Sequence, residues 1–336
     1  MKKLWLGLVL LSGAAMAQQP RQNLGRDMRF IEKMNFDGQD AYRLSDGQSE
    51  AIIVPRYGRV MRFGRVGGTN WLWNAPPRKY KPNDWKNYGG DKTWPAPQSQ
   101  WATMGGGPNW PPPPAWDGMP HKAGVKKGKL WMVSPVQKGL GARVVREFWF
   151  DANGDFIVSQ AADKISGEPV YFSLWSVIQI VPPDAIYLPL SANSPYKNNF
   201  HWIYKPKVEV DAKLLSPTLL RVLPSVGDDK NNFKIGTDAE APALIAVHDG
   251  WAFRVRSNKP KGDYPDGALE AGFPVELWNM GPKDMHYNEL ELLSPLNLYK
   301  TGSRWRHTIR WSVHQMPTKD INSPLMQEAI ERLLKE

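Results

Sequence analysis

The 336-residue sequence predicts an all-β fold, a large antiparallel β-sandwich with one short C-terminal helix. Three observations carry this. From residue 51 onward, short runs rich in Val, Ile, Phe, Trp and Tyr alternate with Gly, Asn-Gly and Asp-Gly punctuation, the composition of pleated strands and tight turns. No stretch of this region repeats its apolar residues every 3.6 positions, so nothing supplies the helices that would cover a parallel sheet. Residues 325–336 do carry such a stripe, and they stand alone in doing so.

Taken in order, residues 1–17 read as a cleavable signal peptide. Lys2 and Lys3 precede an apolar run at 4–11, and Ala15-Met16-Ala17 offers a small-x-small cleavage site. The run is too short for the roughly 20 apolar residues that span a bilayer. The expectation is a periplasmic or secreted protein with no membrane span after cleavage. Residues 18–44 form an N-terminal segment without a clear pattern, and residues 45–318 form the β-domain.

Its clearest strands are expected at 51–54, 59–63, 142–150, 156–160, 170–180, 218–223, 243–248, 251–256, 275–278, 287–293 and 305–313. Residues 151–155 and the pair Asp249-Gly250 sit between strands as hairpin turns. Residues 75–120, crowded with Pro, Gly, Asn and five Trp, predict a long ordered loop. In the terminal segment 319–336, Ser323 can cap a helix that Pro324 begins. Leu325, Met326, Ile330, Leu333 and Leu334 would then face the sandwich.

Composition removes several classes of function. With no Cys there is no disulfide, thiolate metal site or Cys nucleophile. The six His show neither His-x-His nor His-Glu-x-x-His spacing, so no metal is expected. Gly105-Gly106-Gly107 lacks the context of a phosphate loop, and there is no Gly-x-Ser-x-Gly elbow, so no nucleotide cofactor or Ser hydrolase is implied. The net charge is +10, or +8 once Lys2 and Lys3 are removed. Outside the cytoplasm a basic surface meets anionic surfaces or glycans rather than nucleic acid, although a plain solvated surface needs no such partner. The 16 Trp suit half-exposed rings on which pyranose faces pack, or simply a large core.

Two segments could carry chemistry. In 287–293, Tyr287, Glu289 and Glu291 share one face of a strand while Leu290 and Leu292 take the other. Residues two apart are separated by about 6.6 Å, within the roughly 5–9.5 Å over which paired carboxylates divide acid and base roles on sugars. The alternative is a solvated strand face balanced by Arg306 or Arg310. The string 89–98 places Asp91, Lys92, Trp94 and Gln98 between two glycines and rigid prolines, either to present a site or to tie its own backbone.

The segments Arg59-Val60-Met61-Arg62-Phe63 and Asn70-Trp71-Leu72-Trp73-Asn74 and the string 89–98, with Ser134-Pro135, Arg146-Glu147, Glu289-Leu290-Glu291, Ser294-Pro295 and Gly302, are similar to the bacterial domain of unknown function numbered 4380. That family in turn resembles, distantly, the galactose mutarotase superfamily. The resemblance implies a large antiparallel β-supersandwich with a sugar site on a concave face and a base glutamate at Glu289 or Glu291. It implies also an acid histidine in a mid-chain strand, yet residues 174–179 hold none, leaving Lys92, His121 or His201 to replace it. Asp91, Trp94, Gln98, Arg62, Arg146, Trp175 and Gln179 complete the expected substrate-binding set.

The expectation is an exported carbohydrate-active protein acting on a sugar or oligosaccharide as an epimerase, lyase or hydrolase. An acidic glycan is among the candidates. A non-catalytic periplasmic glycan-binding protein is the alternative, and a structural envelope protein a third.

Overall fold

The computed structural model describes residues 22–23, 29–76, 81, 84–267 and 272–336, so the expected signal peptide lies outside the described residues. Two antiparallel sheets face each other. The twelve-stranded sheet runs from an edge at Phe30–Phe36, flanked by Gln22–Asn23, through Gln39–Ser45, Ser49–Val54 and Arg59–Arg65 to Asp91–Ala96. It continues through Val170–Ile180, Tyr287–Leu293, Val275–Met280 and Phe233–Thr237 to His201–Tyr204, with Asn297–Tyr299 also paired to Val170–Ile180. The ten-stranded sheet follows the order Ala212–Ser216, Leu219–Val222, Ala185–Pro189, Ala243–His248, Trp251–Ser257, Arg304–Gln315, Phe156–Lys164, Ala142–Phe150, Lys129–Val133 and Lys122–Lys126.

Alternation places one side of each sheet between the layers. Leu290 and Leu292 of one sheet meet Phe156, Phe253 and Trp311 of the other, with Trp311 edge-on to Phe63 at 5.2 Å and to Phe253 at 5.6 Å. The expected helix forms at Pro324–Lys335, where the Ser323 hydroxyl accepts from the Leu325 amide. Met326, Ala329, Ile330 and Leu333 seal it onto Tyr187, Ile245 and Val247 of the ten-stranded sheet, while Leu325 faces solvent.

Two expectations are corrected. The β-domain begins before residue 45, because Phe30–Phe36 and Gln39–Ser45 pair along seven register positions. Their outward residues are mixed polar and apolar, which hid the alternation. The 75–120 segment is not wholly a loop. Asp91–Ala96 is a buried strand inside the sheet, paired with Val170–Ile180 at six positions and with Arg59–Arg65 only through Val60 and Asp91. One-sided pairing past Asp91 makes Pro95 tolerable there. Gly89 and Gly90 allow close approach to protein backbone rather than to a ligand. Both have positive φ, and a Cβ on Gly90 would lie 2.3 Å from the Val60 carbonyl oxygen.

Candidate functional site

The outer face of the twelve-stranded sheet carries an unusual row of charge. Register pairs Lys92 with Val177, Val177 with Glu291, and Glu291 with Glu276; the next rung pairs Gln179 with Glu289 and Glu289 with Trp278, with Lys234 beyond. Five adjacent strands therefore place these residues on one side, because directly paired residues point the same way. A solvated face is not what results. Lys92, Glu276 and Glu291 are buried under the Trp-rich segment and neighbouring side chains, and Glu289 keeps 10% of its side chain exposed.

The first half of the row is a buried ion pair. Lys92 Nζ lies 3.3 Å from Glu289 Oε1, which also accepts from Gln179 Nε2 at 2.9 Å. Both bonds fall on one carboxylate oxygen, so Oε2 has no hydrogen bond among the described residues. The Lys92 ammonium lies over the Trp94 ring, 4.6 Å from its centroid. Burial pulls the Lys92 pKa down to about 8 against the pull of Glu289, leaving a protonated group whose proton is easily given up near neutrality. Tyr287 closes one side, its hydroxyl 3.5 Å from the Asn87 amide nitrogen and its ring 4.7 Å from Trp73.

The second half is a structural anchor. Glu291 Oε2 accepts from Trp175 Nε1 at 3.0 Å and lies 3.0 Å from Lys234 Nζ, which also meets Glu276 at 2.5 Å. Lys234 in turn sits 4.3 Å from the Trp175 ring centroid. Two carboxylates share one ammonium in a dry place, so burial drives Glu291 up to about 7 and Glu276 well above the ordinary carboxylate range. Such a pair holds a proton in common near neutral pH.

Loop residues brace the same face. Asp117 is buried and accepts from Trp94 Nε1, Trp85 Nε1 and Arg59, each at 2.7 Å. This one carboxylate therefore orients two of the indoles. Beside it a cleft of about 400 Å³ opens between Trp85, Tyr88, Pro111, Pro112 and Gly105.

Of the expected site residues, Lys92, Trp94, Trp175, Gln179, Glu289 and Glu291 come together here. The others do not. Asp91 points between the sheets and is bonded to Arg146, which also reaches the Gly58 carbonyl at 3.1 Å, so both serve a buried inter-sheet ion pair. Arg62 belongs to an ion-pair network with Glu50 on a strand outside the cluster, at 2.9 Å. Gln98 spends its amide on the Asn109 carbonyl at 2.7 Å, holding the loop to itself.

Arg306 and Arg310 balance Glu147 and Asp151 of the other sheet rather than the site glutamates. His121 is buried against Gly58 and bonded to the Met119 carbonyl, with burial lowering its pKa to about 4, and His201 stacks on Phe273. Lys234 and Glu276 were missed. Their signal is a charged residue at the centre of an otherwise apolar alternating strand, as in Phe233-Lys234-Ile235 and Val275-Glu276-Leu277.

Comparison with known protein families and with characterised proteins finds no match. Solved structures do match. Two are named as putative, an aldose 1-epimerase from Klebsiella pneumoniae (TM-score 0.55, 11% identity, covering 91% of this chain and 88% of that one) and a mutarotase from Salmonella typhimurium (0.51, 11%, 85% and 94%). A galactose mutarotase-like protein from Clostridium acetobutylicum aligns at TM-score 0.50 with 12% identity, over 86% of this chain and 99% of its own. The fold is thus the galactose mutarotase-like β-supersandwich, and at this identity the likeness speaks for fold alone.

Proposed function

We propose that the protein acts on a sugar or oligosaccharide by proton transfer at the Lys92–Glu289 pair. The carrying observation is the contact itself: a buried ammonium of lowered pKa, 3.3 Å from a carboxylate whose second oxygen is left for a ligand. Glu289 is the base and Lys92 the acid. Half-buried Trp278, paired directly with Glu289, offers aromatic surface to a pyranose ring, while Tyr287 is buried against Trp73 and walls the pair. Glu291 has a positioning role, since both its neighbours, Trp175 and Lys234, already hold it. The fold shared with proteins named as epimerases and mutarotases supports a sugar as substrate and makes epimerisation the first reaction to test, ahead of lysis and hydrolysis.

Export to the periplasm or medium, cleavage after Ala17, an acidic sugar and membership in domain family 4380 belong to the same proposal. N-terminal sequencing of the exported protein, expected to begin at Gln18, checks the first two. A non-catalytic glycan-binding protein is the second reading, favoured by the near-complete burial of Lys92 under Trp94.

The test is polarimetry and product analysis across neutral and acidic sugars, with binding measured by calorimetry. Glu289→Gln and Lys92→Met should each lower turnover by about 100-fold or more while sparing binding. Binding without turnover in the wild type would select the second reading. Turnover unaffected by either variant, or no sugar bound at all, refutes the proposal.

A further inference from the structure

The outer face of the ten-stranded sheet presents a second, separate surface. Register brings Gly124, Trp131 and Glu147 onto one rung, and Lys122, Val133 and Val145 onto the next. Trp131 lies across Gly124. A Cβ there would come 2.8 Å from the indole ring, so only glycine lets the ring lie flat on the neighbouring strand. Beside it, Lys129 covers the Trp149 ring at 3.6 Å. The hairpin turn at Lys127 and Gly128, both of positive φ, raises Lys126 and Lys127 over the edge. A shallow trough of about 550 Å³ is floored by Trp131, Val133 and Val145 and rimmed by Lys126, Lys127, Lys129 and Glu147, with Lys122 beside it on the rung of Val133.

Charge on this face is unbalanced. Glu147 is matched by Arg306 at 2.8 Å, Asp163 by Arg304 at 3.2 Å and Arg143 at 3.4 Å, and Asp151 by Arg310 at 2.6 Å. Lys122, Lys126 and Lys127 are exposed and have no ion pair among the described residues. Lysines on an edge strand do guard against strand addition. That duty does not require an indole laid flat beside them with its face half open.

We propose that this trough binds an anionic polysaccharide, one sugar ring stacked on Trp131 and its carboxylates or sulfates held by Lys122, Lys126 and Lys127. The aromatic floor favours a carbohydrate over other polyanions, because a pyranose offers a C–H face to the indole and an acidic substituent to the rim. The surface is independent of the Lys92–Glu289 pair on the other sheet, so either can fail without the other.

The experiment is calorimetric titration of the full chain with polygalacturonate, an unsulfated neutral glucan and anionic phospholipid vesicles, at low and high salt. Polygalacturonate should bind, weaken with salt, and exceed both controls. Trp131→Ala should weaken it about fivefold, and Lys126→Glu with Lys127→Glu at least about tenfold. Gly124→Val, which lifts the ring while leaving every charge in place, should mimic Trp131→Ala; thermal melts identify any variant that fails to fold. Equal binding to vesicles, loss with the lysine variant alone while Trp131→Ala is silent, or no polygalacturonate binding overturns the proposal.

Discussion

Removing Lys92 is the sharpest perturbation of the buried site. Lys92→Met keeps an apolar stem of nearly the same shape but deletes the ammonium that faces Glu289 and lies over Trp94. Breaking a buried ion pair from one side costs about 3–5 kcal/mol, and the residual exposure of Glu289 sets the lower end, about 3 kcal/mol. For a domain of this size that is a fall of roughly 5 °C in Tm. Glu289→Gln should cost a similar amount, whereas the double variant, which leaves no charge unpaired, should lose far less than the sum.

The two single variants should differ in pH dependence. In Lys92→Met the uncompensated group is a carboxylate. In Glu289→Gln the uncompensated group is an ammonium. Burial already holds Lys92 near 8 against about 10.4 in the unfolded chain, so the unfolded state binds that proton more readily. Wild-type stability therefore rises from pH 8 to about 10.4, and the loss in Glu289→Gln is full at low pH and fades toward pH 8. Urea unfolding of the four proteins from pH 4 to about 11 measures all of this. Additive single effects, or parallel pH curves, would refute a coupled buried pair.

Glu291 should give the opposite slope from a raised carboxylate: its folded pKa of about 7 exceeds the unfolded value near 4.3, so stability falls as pH rises through that window. Glu291→Gln should flatten the fall without abolishing it, since Glu276 remains; an unchanged slope by urea titration would count against the shared proton. Asp117→Asn should leave the buried Arg59 uncompensated, cost about 3 kcal/mol, and free Trp85 and Trp94, seen as faster proteolysis within 75–120 and altered Trp fluorescence. Ile330→Ala should cost about 2–4 kcal/mol by opening a hole under the terminal helix, and a melting point equal to wild type would mean that the helix does not seal that sheet.

Much of the fold is legible locally. Hairpin turns such as Asp249-Gly250, where both φ values are positive, and the capped helix at Pro324–Lys335 depend on neighbours in sequence, and a sequence shows neighbours. The strand Tyr287–Leu293 was visible by its alternation, together with the shared face of Tyr287, Glu289 and Glu291. Asp91–Ala96 was obscured because its glycines and prolines have the composition of a loop. It becomes a strand only through backbone pairing with residues about 80 positions away.

The chain by itself determined that the residues would form antiparallel sheets, which glutamates would share a face, and that neither thiol chemistry nor a local metal motif was on offer. Only the tertiary structure decided which cation meets which glutamate. Arg306 and Arg310, the partners expected from the sequence, lie on the other sheet, while Lys92 and Lys234 arrive from strands 197 and 57 residues away from Glu289 and Glu291. Burial was decided there too, and with it the acidity of each group. A strand's alternation fixes which side a residue points to, but the covering of that side by Trp94, Trp175 and the Asp117-anchored loop comes from distant chain. That covering removes the water whose absence draws Lys92 down and Glu291 up.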